Sequence, residues 1–190
     1  MIIVSQNLTN YNIPVPDDAV FRINLAWVNS LSELTNLLDK HKLQKIFLDL
    51  PINRTKLPNN KYSINEIIPI INQYTNIKYF AISNIEQIAD VKPYVDIIPK
   101  SITIIPKIES PNGVNNIKEI TDCLPGPEKI VMLDHDDLYS NMIKDNQPPS
   151  KFKDHMEKLV DFCKENDIVI LRTIGVIFSD VEKRITEYIG

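Results

Sequence analysis

Ile102-Thr103-Ile104-Ile105-Pro106-Lys107-Ile108-Glu109-Ser110-Pro111-Asn112-Gly113-Val114 is the stretch on which the fold turns. It opens as an apolar, β-branched run of the kind that fills a buried strand. It then sets a lysine and a glutamate two residues apart, so both side chains leave the strand on one face. Charge inside an apolar strand is costly unless it is paired or binds a metal. Lys107 and Glu109 therefore mark a strand end where chemistry is expected, with a Lys–Glu ion pair as the plain structural alternative.

The same arrangement recurs on both sides of this stretch. Val20 to Leu25 reads as a strand carrying Arg22 and Asn24. Lys45 to Leu50 ends in Asp49, is stopped by Pro51, and is followed by Arg54. Lys78 to Ser83 ends in Ser83 and Asn84. Lys129 to Leu133 runs into Asp134, His135, Asp136 and Asp137, and Asp167 to Leu171 runs into Arg172 and Thr173. Ile2 to Val4 is a short first strand.

Helical periodicity separates these runs. Leu31 to Leu43 is predicted to be a helix capped by Ser30 or Ser32. Ser63 to Tyr74 begins with a Ser63/Glu66 capping box. Shorter helices are predicted from about Ile85 to Val91 and from Asn115 to Asp122, a long one from Lys151 to Asn166, and a charged one from Ser179 or Asp180 to Ile189.

Strands alternating with helices predict a parallel sheet with helices packed outside it. The expected fold is α/β: a TIM-like (β/α) barrel, short or incomplete, with about seven βα units in one domain over residues 1–190. A closed eight-stranded barrel takes about 250 residues, and this chain has 190; Gly175 to Phe178 is the candidate for a further strand. In parallel α/β folds, sites are built at the C-terminal ends of the strands. That is where the polar residues fall.

Composition narrows the function. Net charge is −4, with both signs interspersed and no long basic run, which argues against a nucleic-acid partner. The chain has only four glycines and no glycine-rich loop after its first strand, which disfavours dinucleotide and P-loop readings. Cys123 and Cys163 lack metal-ligand spacing and are expected to be reduced thiols. No apolar run approaches the roughly 20 residues of a membrane span, and the N-terminus lacks a signal-peptide pattern. A cytoplasmic protein with no membrane partner is expected. His41 and His155 are expected at the surface, and Trp27, Tyr79 and Phe80 in packing roles.

The segment from Ile104 to Val114, continued through Asn115-Asn116-Ile117-Lys118-Glu119-Ile120 to Ile130-Val131-Met132-Leu133-Asp134-His135-Asp136-Asp137-Leu138, resembles the phosphoenolpyruvate/pyruvate TIM-barrel superfamily. That superfamily includes the HpcH/HpaI aldolases, the citrate lyase β-subunit-like lyases and the pyruvate kinase barrel. Phe21-Arg22-Ile23-Asn24, Phe47-Leu48-Asp49-Leu50-Pro51 with Arg54-Thr55, and Tyr79-Phe80-Ala81-Ile82-Ser83 with Asp90-Val91 are similar to further segments of it. The resemblance implies metal-binding roles for Glu109 and Asp137, with Mg²⁺ or Mn²⁺ as cofactor; two hard oxygen ligands suit such ions. It places the chemistry on Lys107 and Arg22, and implies Asn24, Asp49, Arg54 and Ser83 as substrate contacts; Arg172, in a segment that is not a close match, is a candidate contact from its place at a strand end. His135 is a candidate proton carrier.

Only the short loop 51–62 stands where pyruvate kinase inserts a lid domain, and Asp136 replaces the glycine expected before the metal-binding aspartate. The resemblance therefore implies the lyase branch: a divalent-metal-dependent carbon–carbon lyase or aldolase acting on a pyruvate-like or oxo-acid substrate through a stabilised enolate. A phosphoenolpyruvate-using phosphoryl or pyruvyl transferase and a non-catalytic barrel subunit of a larger complex are the alternatives. Lys107 is expected to have a pKa lowered by burial beside a cation. An incomplete barrel exposes strand edges, so a homo-oligomer is expected.

Overall fold

The computed structural model describes residues 3–6, 18–53 and 58–172. Among these residues seven parallel strands lie in sequence order: β1 (Ile3–Ser5), β2 (Val20–Asn24), β3 (Ile46–Leu50), β4 (Ile77–Ile82), β5 (Thr103–Ile108), β6 (Ile130–Leu133) and β7 (Val169–Arg172). Between them run α1 (Leu31–Lys40), α2 (Ile64–Gln73), α3 (Ile88–Ile97), α4 (Pro111–Asn115), α5 (Ile117–Asp122), α6 (His135–Lys144) and α7 (Lys151–Glu165). The sheet curls into an incomplete TIM-like α/β barrel, as the alternation predicts. Arg54, the proposed strand over Gly175–Phe178 and the expected C-terminal helix lie outside the described residues.

Strand side chains alternate between two cores, and this alternation builds the site. Phe21, Ile23, Leu48, Leu50, Ile82, Ile104 and Leu133 pack with helix residues such as Leu34, Leu38, Ile67 and Leu159. Val20, Phe47, Ala81, Ile105, Ile130 and Met132 form a separate apolar cluster without helix residues, so they line the inner face. Two residues further along the same strands come Arg22, Asp49, Ser83, Lys107 and Asp134, and then Asn24 and Glu109 in turn. The inner face is thus apolar at its floor and polar at its C-terminal rim. A one-residue slip would exchange the two sets.

Local sequence explains the helix starts. Ser30 caps α1 through Glu33 N–H, and Ser63 and Glu66 form the expected capping box of α2. The helix expected over 85–91 begins later, at Ile88, because the Asp90 carboxylate accepts from the backbone N–H groups of Glu86 and Gln87 and holds them outside it. It then continues through Pro93 to Ile97. The helix expected over Asn115 to Asp122 is α5, starting at Ile117, and a separate short helix, α4, precedes it, with Pro111 at a first helical position that suits proline.

Helix α6 was not expected. Its sequence, His-Asp-Asp-Leu-Tyr-Ser-Asn-Met-Ile-Lys, offers only Leu138 and Met142 to the core, too little for a clear apolar stripe. Asp134 starts it as a side-chain cap.

Two aromatic expectations are corrected. His41 is buried rather than at the surface, stacked on Phe21 with ring centroids 3.6 Å apart. Trp27 is 53% exposed and not a packing residue, because it sits in the 3-10 turn Leu25–Trp27 where only Leu25 is buried. Cys123 and Cys163 are free thiols. Among the described residues no helix is long and apolar enough to cross a membrane.

Gly113 shows why the opening motif needs its glycine. A Cβ there would lie 2.6 Å from the Ile85 carbonyl oxygen, a backbone atom. Ile85 N–H in turn donates to Lys107 O at 3.2 Å. Gly113→Ala is expected to push apart α4 and the β4–α3 connection and to cost about 1–3 kcal/mol; a urea denaturation midpoint matching the wild type would refute this.

Candidate metal and active site

The polar rim is assembled from neighbouring strands. Asp49, fully buried at the end of β3, accepts from Arg22 Nε at 3.1 Å and also pairs with Arg22 Nη2. Lys107 Nζ lies 4.0 Å from Asp49 Oδ1 and 2.8 Å from Glu109 Oε1, and it donates to Ser83 Oγ at 3.0 Å. Lys107 and Glu109 thus face one side, as their spacing requires. The charges are paired, as burial demands.

Glu109 is fully buried and held on several sides. Asn84 N–H donates to its Oε2 at 2.8 Å. Asn84 has a φ of 52°, a left-handed conformation that asparagine tolerates better than most residues. Glu109 Oε1 faces the Lys107 ammonium but takes no well-aligned hydrogen bond, which leaves it lone-pair capacity. Asn141 Nδ2, on α6, donates to the Glu109 carbonyl oxygen at 2.8 Å.

Glu109, Asp134 and Asp137 come together. Each offers a carboxylate oxygen, and these atoms all lie within 4.8 Å of one another. Glu109 and Asp137 are buried and Asp134 is partly exposed. Asp134 Oδ1 caps α6 through Asp137 N–H at 3.2 Å. Three hard oxygen donors, two of them buried, fit a Mg²⁺- or Mn²⁺-sized ion with open positions left over.

Asp134 is a candidate ligand that the sequence reading passed over. Two signals could have found it: the inner-face parity Ile130, Met132, Asp134, and the Asp-x-x-Asp spacing of a helix cap. Asn84 stands among the polar strand-end residues of the sequence, but that its backbone N–H holds the Glu109 carboxylate, and that the Asn141 amide holds the Glu109 carbonyl, has no sequence signal, since each bond joins a main-chain group to a side chain distant in sequence.

Other candidates are placed differently. Asn24 caps the 3-10 turn through Ala26 N–H at 3.0 Å, and its own N–H donates to Gln6 Oε1 at 2.6 Å. Arg172 pairs in register with Leu133, which belongs to the helix-facing core, so it lies off the inner-face parity. Its charge bears on His135, whose pKa is held down by burial and then by Arg172, against the opposing pull of Asp134 and Asp136.

Electrostatics correct one expectation. Burial alone would lower the Lys107 pKa, but Asp49 and Glu109 outweigh it and raise it, with Arg22 opposing. Arg22 is likewise pulled down by burial and raised overall, first by Asp49. Burial pushes the Glu109 carboxyl up, and Lys107 offsets this only in part. Both cations therefore keep their charge near neutral pH.

Asp49 is the shared counter-charge of two buried cations. Asp49→Asn is expected to destabilise the fold by about 3 kcal/mol, because breaking a buried pair leaves uncompensated charge. Thermal and urea unfolding would measure it; a loss below about 1 kcal/mol, the value of an exposed pair, would contradict it.

No protein-family model and no curated protein matches the sequence. Solved structures do match the fold. RipC from Yersinia pestis superposes with a TM-score of 0.60 at 16% identity, covering 88% of this chain and 75% of that one. Malate synthase from Haloferax volcanii, in its lead(II) complex, gives 0.65 at 13% identity over 91% of this chain and 58% of its own. Pyruvate kinase from Cryptosporidium parvum, in complex with ADP, gives 0.54 at 16% identity over 80% and 50%. The chain spans only about half the length of the last two. These neighbours come from the superfamily that the Lys107–Glu109 segment resembles. The chain therefore shares the barrel fold of these neighbours, at 12–16% sequence identity.

Proposed function

We propose that the protein is a divalent-metal-dependent carbon–carbon lyase or aldolase acting on a pyruvate-like or oxo-acid substrate. The observation that carries this reading is the grouping of Glu109, Asp134 and Asp137 beside the paired cations Arg22 and Lys107 at the C-terminal rim. A malate synthase of the same fold is recorded as a lead(II) complex and as a pyruvate/acetyl-CoA ternary complex. A divalent ion and a keto acid are the chemistry that these donors suit.

Glu109, Asp134 and Asp137 would hold the ion. When bound, the ion supplies a Lewis acid that stabilises enolate charge on the substrate. Arg22 presents a guanidinium whose side chain is 20% exposed and already oriented by Asp49, a geometry suited to a substrate carboxylate. Lys107, pinned between Ser83, Asp49 and Glu109, contributes a fixed positive charge at the floor of the site. The apolar cluster beneath excludes water from this side.

Enolate formation is read from exchange of the pyruvate methyl protons with deuterated solvent, followed by NMR. Exchange is expected with Mg²⁺ or Mn²⁺, and a loss of at least about 100-fold in Glu109→Gln. Oxalate, an enolate mimic, is expected to raise the melting temperature only with metal present. No exchange and no metal-dependent oxalate shift would overturn the lyase reading. Binding of phosphoenolpyruvate alone would then favour the transferase, and no binding at all the non-catalytic subunit.

Association of chains belongs to the same proposal. Among the described residues β1 and β7 each pair on one side only, and Val169 on β7 is 43% exposed. Light scattering at micromolar concentration is expected to give a mass above 21.9 kDa; a monomer would refute this.

A further inference from the structure

We infer that Asn141 is a positioning residue for the carboxylate triad, setting the distance between its two halves. This rests on the metal reading proposed above. The triad comes from two separate elements: Glu109 follows β5, whereas Asp134 caps α6 and Asp137 lies in its first turn. A cation can be held only if the strand and the helix keep a fixed separation.

Helix α6 is tethered at its start to β6, which pairs with β5, and two kinds of contact then fix the rest of it. Leu138 and Met142 are fully buried and set its depth. Such apolar contacts are non-directional and tolerate small rotations and slides. The amide of Asn141 is directional. It donates at 2.8 Å to the carbonyl oxygen of Glu109 itself, not of a neighbour. Asn141 stands four residues after Asp137, one turn on along the same helix face. The hydrogen bond therefore ties the residue giving one ligand to the face giving another.

The remaining constraints complete the frame. Asp134 Oδ1 accepts from Asp137 N–H, which fixes the Asp134 carboxylate against the first turn of α6 that carries Asp137. Asn84 N–H and Lys107 fix the Glu109 carboxylate. The β5–β6 ladder, which pairs Ile108 with Leu133, brings the two subassemblies side by side, and Asn141 adds a side-chain hydrogen bond from α6 to Glu109 itself. The plain alternative is that it only satisfies a buried carbonyl beyond the strand ladder. That alternative lowers stability when the amide is lost but does not single out metal binding.

The test is Mn²⁺ binding to the full chain, followed by the EPR signal of free Mn²⁺, without substrate or turnover. Asn141→Ala is expected to weaken Mn²⁺ binding about 10- to 100-fold, as loss of a ligand-orienting contact does. Ser140→Ala is the control on the same helix, since its hydroxyl bonds Asp136 O, and it should bind as the wild type does. If the alanine variant fails to fold by circular dichroism, Asn141→Gln, which moves the amide by one methylene, is expected to weaken binding in the same direction. Wild-type Mn²⁺ binding with an Asn141 variant within about two-fold of it, whatever its melting temperature, overturns the positioning role and leaves the metal reading standing. An equal loss in Ser140→Ala also overturns it. Failure of the intact chain to bind Mn²⁺ overturns both.

Discussion

A buried lysine held between two buried carboxylates organises the C-terminal rim of this barrel. Lys107 is 2.8 Å from Glu109 and 4.0 Å from Asp49, with both acids fully enclosed. Such a cluster adds little net stability, because desolvation offsets most of the attraction. Its effect is on register. Lys107 and Glu109 belong to the inner-face set of β5, and a slip by one residue would drive both into the apolar layer under the helices. The alternation that buries Ile104 and Ile108 on one side therefore dictates where the charges gather on the other.

From that centre the site divides into two regions of opposite character. Toward β2 and β3, Arg22 and Asp49 form a part-buried pair whose guanidinium edge is accessible. Toward β5 and β6, three carboxylates converge. The cationic side suits the carboxylate of an oxo acid, and the anionic side suits a hard cation. The pKa directions agree with this division. Arg22 and Lys107 are held in their charged forms by neighbouring acids, whereas burial makes ionisation of Glu109 less favourable and a bound cation would reverse that.

Much of this was legible in the linear chain. Polar residues at successive strand ends, with a lysine and a glutamate two apart, place Lys107 and Glu109 on one face from the sequence alone. Strand alternation predicted the parallel sheet. What escaped had identifiable physical causes. Helix α6 has too few apolar residues to show periodicity and is defined by its Asp134 cap and by two buried anchors. Asp134 read as one of several acids in a polar run until the parity of β6 turned it inward. Arg172 ends strand β7 as a candidate substrate contact, yet its register with Leu133 turns it away from the inner face. The direction of the Lys107 pKa was misjudged because the sequence shows that a cation will be buried, but not how many carboxylates meet it.

The chain by itself determined the order of the strands, the parallel α/β class and the end of the sheet at which charge collects. Period-two and period-3.6 patterns, caps and breakers are local properties, written within a few residues of where they act. Only the tertiary structure decided which charges pair, that Asp49 serves both Arg22 and Lys107, and that Asp134 joins Glu109 and Asp137. Those partners are brought together by strand pairing and helix packing across 25 residues or more. Electrostatic and coordination distances depend on that packing to within an ångström, a precision that no local pattern carries.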